Sequence, residues 1–503
     1  CGKIQNYCSV ISAWGIYPNS LKEKHSNKCA KLNKKTLKAI SKFYGIPFQM
    51  LDNFIDKHEL NSINQVVSTT ISNKSLNLIY LDIKVGKLAL YELILQHKKM
   101  TINLTEEQWK EYEVYLKNSL ILLKSFSNFC EKNSPEVILS FSPQYSNINP
   151  AMQYAQKRDI KVLFMESGTN LSDRLSTLRV WDWRIHKLVN PGLKYWKSET
   201  KYHVTKRSVN GIINHYKELL KGNHFSVFSS TNKNHFDIKK EWNISLNKKV
   251  LLMTLSSYDE AFAALVIGAF PYQKVFSDVF KTQFEWIEET IKWVKNRNDL
   301  FLIIRVHPRD FPNKRDSIRS EQSYLLEKVL KAVPKNVKVN WPGENVSLYQ
   351  ILESTDVLLT GWSVTALEAL ILGIPVVTYD SKLPSYPKDI HYSGRSMDKY
   401  FKNIKKAIND GWDFKNVRNG FRWLSFNFNY CTIKVSKDFG SFERKKLSRI
   451  ENLFLRIKNK FIFIRNYIDL NKWKDALEDS EIISQMISED LDSIPCSKNQ
   501  SKY

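Results

Sequence analysis

Between Lys249 and Asp380, small hydroxyls, glycines and single charged residues stand at the ends of apolar runs. Ser256 and Ser257 follow "VLLMTL", and His307, Pro308 and Arg309 follow "LIIRV". Pro342, Gly343 and Glu344 follow "VKVNW", and Gly361 and Ser363 follow "VLLT". The densest stretch is "DVLLTGWSVTALEALILGIPVVTYD", Asp356 to Asp380. Gly361 permits a tight turn and Ser363 is placed to cap the helix that follows. The backbone N–H groups from Ser363 to Thr365 would then face an anion such as a diphosphate. Glu368, a little over one turn into the helix, is placed to accept hydrogen bonds from ribose hydroxyls. The bland alternative makes Ser363 an N-cap only and Glu368 a solvated acid near a helix N-terminus. Convergence of the other loops on the same rim favours the ligand reading.

Such a rim needs strands that end together. The second half of the chain alternates apolar runs with helical patterns: "KKVLLMTLS", "QFEWIEETIKWVKNR", "LFLIIRVHP", "SYLLEKVLKAV", "NVKVNWP", "SLYQILEST", "DVLLTG", "SVTALEALILG" and "PVVTYD". Continuous apolar runs separated by crossover helices describe a doubly wound parallel sheet, which binds ligands at the carboxyl ends of its strands. The first half alternates less regularly. "SLNLIYLDI", "EVILSFSP" and "IKVLFMESG" read as strands; "VGKLALYELILQHKK", a long segment from about Thr105 to Glu131, and "NPAMQYAQKRD" read as helices. The expected organisation is α/β, with a first domain and linker over 1–240, a second domain over 241–410, a crossing-back helix over 411–440 and a helical tail over 441–503.

At 503 residues, with 43% apolar and 13% aromatic residues, the chain is long enough for two folded cores. Its 76 Lys and Arg against 51 Asp and Glu leave a formal charge of +25, which attracts anions without identifying one. Zinc-finger spacing, an RRM aromatic motif and a helix-turn-helix are all missing, so no nucleic-acid partner is expected. The six cysteines form no CxxC pair, and no apolar run reaches about 18 residues. A cytoplasmic location is expected. The chain starts at Cys1, which leaves the completeness of its N-terminus open.

"DVLLTGWSVTALEALILGIPVV" with "LIIRVHPRD" resembles the nucleotide-binding half of GT-B glycosyltransferases, particularly bacterial capsule polysaccharide biosynthesis transferases. Kdo transferases, polysialyltransferase-like proteins and, more distantly, CDP-glycerol polymerases are related. "IYLDIKVGKLALYE" and "FMESGTNLSDR" are similar to the first-domain motifs. The resemblance implies two Rossmann-like domains facing across a cleft, with a helical C-terminal extension. The donor would lie on the second domain and the acceptor on the first.

It also implies transfer of a sugar from a nucleotide-activated donor to a capsule or lipopolysaccharide glycan, with no essential metal or other cofactor. The departing phosphate would be stabilised by the Ser363 turn with His307 and Arg309, and by the hydroxyls of Ser256 and Ser257. Glu166, at the end of "KVLFM", is the expected base, with Asp173 and His186 in reserve. Gly168, Asp173 and Arg174 are expected to bind the acceptor, and Gly343 and Ser347 to flank the nucleobase. Alternatives remain at this level: Glu166 as a binding or capping acid, Arg174 as a partner of Asp173, His307 as a structural histidine, Arg305 in a structural pair and Tyr349 in the core.

The tail segment "FERKKLSRIENLFLRIKNKFIFIRNYI", Phe442 to Ile468, interleaves basic and large apolar residues. It suits either an anionic membrane surface, where a polyprenyl- or lipid-linked acceptor would be found, or packing against the body. The acidic stretch "DALEDSEIISQMISEDLD" is expected to be a solvated helix with a frayed end. Competing functions are polyol-phosphate transfer or nucleotide-sugar epimerisation on the same fold, and non-catalytic binding by a basic protein.

Overall fold

The computed structural model describes residues 6–7, 48–141, 144–174, 176–182, 190–196, 204–222, 236–269, 277–313, 316–434, 450, 453 and 474–494. His186 and all of the 442–468 tail except Ile450 and Leu453 lie outside the described residues.

The first unit is mostly helical. Helix α1 (Lys57–Ser72) starts at a capping box: Glu59 N donates to Asp56 Oδ1 at 2.7 Å and Asp56 N to Glu59 Oε2 at 3.1 Å. Helix α2 (Tyr91–His97) is followed by α3 (Glu106–Asn133), which Thr105 and Gln108 cap in the same way. α3 buries Trp109, Tyr112, Leu116, Leu120 and Leu123, a stripe at helical spacing that forms the centre of the unit's core. The expected strand "SLNLIYLDI" does not form. Leu81 and Asp82 sit at φ 47° and 63°, so the backbone turns back on itself, and only a Tyr80–Ile83 bridge remains.

The small sheet of this unit consists of β1 (Val137–Phe141), β2 (Lys161–Ser167) and β3 (Thr177–Asp182), with α4 (Asn149–Gln156) between the first two. β1 and β2 are parallel, whereas β3 runs antiparallel to β2 with Glu166 opposite Arg179. Helix α5 (Lys206–Lys221) leads out of it.

The second unit is regular. Its strands are β4 (Lys249–Thr254), β5 (Leu300–Arg305), β6 (Val337–Asn340), β7 (Val357–Thr360), β8 (Val376–Thr378) and β9 (Tyr392–Ser393). All neighbours are parallel and the spatial order is β6-β5-β4-β7-β8-β9, the 3-2-1-4-5-6 order of a doubly wound nucleotide-binding sheet. Helices α6 (Tyr258–Val266), α7 (Gln283–Lys295), α8 (Glu321–Val329), α9 (Leu348–Leu352), α10 (Thr365–Ile371) and α11 (Met397–Asp410) connect and cover it. Val250, Leu252, Phe301, Ile303, Leu358 and Val376 pack into one core, and the alternate residues Leu251, Met253, Leu302, Ile304, Leu359 and Val377 into another. The sheet is therefore buried on both faces, which explains its unbroken apolar strands.

After helix α12 (Phe414–Ser425) the chain returns to the first sheet, where β10 (Ile433–Lys434) pairs antiparallel with β3. Helix α13 (Lys474–Ser488) then closes over that sheet. Met486 and Ile494 are buried with Leu163, Val180 and Ile433, and Asp182 N donates to Asp492 O at 2.7 Å. The acidic stretch is thus a packed helix whose apolar side the sheet supplies.

Candidate functional site

In the 3-2-1-4-5-6 order, the connections leaving the adjacent first and fourth strands part in opposite directions, opening a crevice at the carboxyl ends of those strands. Here those strands are β4 and β7. The residues leaving them are Ser256 and Ser257 on one side and Gly361 and Ser363 on the other. Across the same end, Asn340, Arg305, Thr254, Thr360, Thr378 and Ser393 stand in register on six adjacent strands. The rim is thus underlain by a polar row that the sequence reading did not isolate, because strand register aligns it. Five of the six stand at the ends of runs that the sequence marks, whereas Ser393, after His391 and Tyr392, carries no such signal.

Glu368 is the most unusual group. It is buried, its carboxyl is pushed up to about 7 by burial, which a hydrogen bond from Tyr349 opposes, and its Oε2 has no partner. Tyr216 of α5 donates to its backbone oxygen. The bland reading of a solvated acid therefore fails, since helix α10 turns this face onto the core. The turn before it is self-satisfied, contrary to expectation. Ser363 N donates to Thr360 Oγ1 at 3.3 Å, Thr365 N to Ser363 Oγ at 3.2 Å, and Ser363 Oγ to Thr365 Oγ1 at 3.0 Å. Two of the N–H groups assigned to an anion already have acceptors. Gly361 lies under the Tyr379 ring, which a Cβ would approach to 3.1 Å.

The other rim residues divide. Ser257 donates to Asp259, and the Ser256 backbone is held by Gln283 (2.9 and 3.1 Å) and Gln322 (3.0 Å). Gly343 is exposed, with open space where a Cβ would sit. Ser347 caps α9, accepting from Tyr349 N at 3.3 Å while Gln350 accepts from Ser347 N. Tyr349 itself is core. His307 Nδ1 accepts from Arg309 N at 3.2 Å, so the neutral ring carries its proton on Nε2.

Arg309 is engaged elsewhere. Its Nη2 and Nε bind Asp259 at 2.6 and 3.0 Å, and Nη2 also donates to Leu95 O of α2 at 3.1 Å. Burial would lower its pKa, but the pair with the buried Asp259 outweighs this and raises it. Lys98 Nζ, also buried, binds Arg309 O, Asp316 Oδ1 and Ile318 O, each at 2.6 Å. Arg309 and Lys98 therefore fasten the two units together. Arg305 likewise bonds Asn340 Oδ1 at 2.6 Å and Val346 O at 2.9 Å, and burial lowers it to about 10.

In the first unit, Glu166 is one-third exposed and ion-paired with Arg179 at 3.0 Å. Gly168 is a glycine for packing reasons: a Cβ there would meet Thr177 Oγ1 at 2.0 Å. Arg174 Nε donates to Ser167 Oγ at 3.0 Å, and burial lowers its pKa. Asp173 is raised to about 6 by burial, against the opposing charge of Arg207 and a Thr177 hydrogen bond. Its Oδ1 is buried without a partner. Among the described residues no group of three or more His, Cys, Asp or Glu is placed to hold a metal ion, and no helix is long and apolar enough to cross a membrane.

No protein-family model matches the chain, and neither does any curated protein. Among solved structures, the β-Kdo 2,4-transferase KpsC of Thermosulfurimonas dismutans matches at 12% identity and TM-score 0.33, over 60% of this chain and 82% of its own. The UDP-GlcNAc 2-epimerase of Methanocaldococcus jannaschii in complex with UDP-GlcNAc and UDP matches at 15% identity and TM-score 0.30, over 67% and 94%. The wall teichoic acid polymerase TagF matches at 14% identity and TM-score 0.24, over 38% and 42%. Likeness at this level adds nothing to what the strand order already establishes.

Proposed function

We propose that this protein is a glycosyltransferase that moves a sugar from a nucleotide-activated donor to a bacterial surface glycan, without an essential metal. The observation that carries the reading is Glu368: a buried carboxyl with an unpartnered oxygen, in the helix that follows β7 at the switch point of a nucleotide-binding sheet. Such an oxygen is costly to leave unpaired, and a ribose hydroxyl would satisfy it. The Thr365 hydroxyl and the Nε2 proton of His307 suit the phosphates, whereas the Ser257 and Ser363 protons go to Asp259 and Thr365. Arg309 serves the site by holding its loop against α2.

In the transfer, an acceptor oxygen bonds to the sugar's anomeric carbon, the bond from that carbon to the phosphate oxygen breaks, and the acceptor proton passes to a carboxylate. Of the two carboxylates considered, Glu166 is held in an ion pair with Arg179 at 3.0 Å, which commits one of its oxygens. Asp173 has an unpartnered oxygen and a pKa of about 6, the better match to a base working near neutrality. We therefore assign the proton to Asp173 and a supporting role to Glu166. The acceptor would be glycan- or lipid-linked, at the inner face of the membrane.

The test is a thermal-shift and calorimetric panel of UDP, GDP, CDP, CMP, ADP and their common sugars, with and without EDTA. A response to one nucleotide that survives EDTA and is lost in Glu368→Ala supports the reading. No response at millimolar ligand with folded protein overturns it. With the donor in hand, Asp173→Asn should lower kcat about 10²- to 10⁴-fold with donor binding retained, and more than Glu166→Gln. Product analysis separates transfer from epimerisation.

A further inference from the structure

The loops after β1 and β2 leave the first sheet at the same end, because Phe141 and Met165 are in register on parallel strands. The loop after β2 holds Asp173. The loop after β1, residues 144–149, had no role in the sequence reading. It is tightly held. Glu92, half-buried beneath it, accepts from Ser146 N and Ser146 Oγ, each at 2.9 Å, and Ser119 Oγ donates to Ser146 O at 3.0 Å. Ile148 N and Asn149 N donate to Tyr145 O at 2.9 and 2.8 Å. Tyr91 OH bonds Gln144 Oε1 at 2.7 Å.

This scaffold presents one large side chain outward. Tyr145 is 40% exposed, and the edge of its contact with Tyr91, centroids 5.5 Å apart and planes at 89°, holds the ring in place. Beside it, Asn147 Oδ1 is buried without a partner. Tyr91 belongs to α2, which packs against α6 of the second unit: Leu95 O of α2 accepts from Arg309 Nη2 at 3.1 Å, and Arg309 Nε lies 3.7 Å from Glu260 Oε1. Glu260 belongs to the second unit. It lies in the first turn of α6, three residues after Ser257 on the switch-point loop, and is mostly exposed. The Tyr145 ring therefore lies where the two units meet, next to the donor crevice.

We infer that Tyr145 is the platform on which the acceptor saccharide lies, with Asn147 and Glu260 binding its hydroxyls. This rests on the glycosyl-transfer reading and adds a place and a ligand class for the acceptor. An exposed ring offers an apolar face to the C–H face of a sugar. A carboxylate and an amide oxygen accept from the hydroxyls that project around its edge. Because the ring is held in advance by Tyr91 and by the Glu92-anchored turn, little ordering cost falls on binding. The arrangement also moves the acceptor from Gly168 and Arg174, whose roles are a close packing contact and a bond to Ser167, to the neighbouring loop.

The experiment uses the full chain on an array of bacterial capsule and lipopolysaccharide-core oligosaccharides, alongside the nucleotide thermal-shift panel. The wild type should bind at least one saccharide. Tyr145→Ala should weaken that binding at least tenfold, Tyr145→Phe should keep it, Asn147→Ala should weaken it less than Tyr145→Ala, and none should alter the nucleotide-induced shift. Tyr145 is a surface side chain, so the alanine variant should fold, and its melting temperature is the control. Saccharide binding unchanged in both Tyr145→Ala and Asn147→Ala overturns the platform. So does a wild type that responds to a nucleotide but binds no saccharide, a result that leaves the glycosyl-transfer reading standing. Saccharide binding that depends on Tyr145 in a protein indifferent to every nucleotide supports the platform and overturns the donor reading.

Discussion

The two sheets solve different problems. The second is six parallel strands with apolar cores on both faces and a row of polar residues across one end. The first has one parallel pair, two antiparallel additions and a covering helix from the far end of the chain. Where a sheet is buried on both sides, polar groups can only gather at strand ends, so the site is announced by the pattern. In the first unit, the candidate residues lie on loops and distant segments complete the sheet, so chemistry and packing are harder to tell apart. Arg309 shows the cost of reading one by the rules of the other. It stands on the rim of the regular sheet, yet its guanidinium is spent on joining the two units.

The sharpest way to break this contrast is to cut that join. Arg309→Met would leave the buried Asp259 carboxylate without its counter-charge, with only the Ser257 hydrogen bond beside it, and should lower stability by about 3–5 kcal/mol, read as the urea midpoint. A large loss of nucleotide binding with little loss of stability would return Arg309 to the ligand.

The next test concerns the acid beneath the rim. Because the folded pKa of Glu368 is raised above its ordinary value to about 7, the folded state holds a proton that the unfolded state releases as pH rises. The stability contributed by this proton is fully present below the ordinary carboxylate range and is lost as pH climbs to about 7, by roughly 3 kcal/mol. Glu368→Gln should flatten that part of the melting-temperature profile between pH 5 and 7.5. An unchanged slope would mean that Glu368 is ionised and partnered throughout.

The smallest effect separates a cap from a ligand group. Ser347→Ala should cost about 1 kcal/mol through loss of its helix cap and leave the nucleotide-induced shift intact. If the shift vanishes while stability holds, Ser347 belongs to the donor site.

Much of the second unit was legible in the sequence. Apolar runs marked five of the six strands, all but the two-residue β9, and the residues after them marked the rim, because parallel strands end on one side. Gly361, Ser363 and Glu368 stand at the crevice that this pattern implied. The first unit was less legible: Leu81 and Asp82 turn a predicted strand back, since left-handed backbone at two ordinary residues leaves no periodic trace. Tyr145 and Asn147 were passed over because a half-exposed ring in a loop has no distinguishing spacing.

What the sequence determined by itself is the α/β alternation, the doubly buried second sheet and the polar ends of its strands, all consequences of local periodicity and burial. Which of those polar groups are free for a ligand was decided only in three dimensions. Arg309 was claimed by Asp259 and Leu95, fifty and more residues away in sequence. Ser363 and Thr365 satisfied each other. Glu368 and Asp173 were left buried with an oxygen unpaired. Hydrogen bonding is settled by which groups the fold brings within about 3 Å of one another, and that proximity is a property of the packed chain.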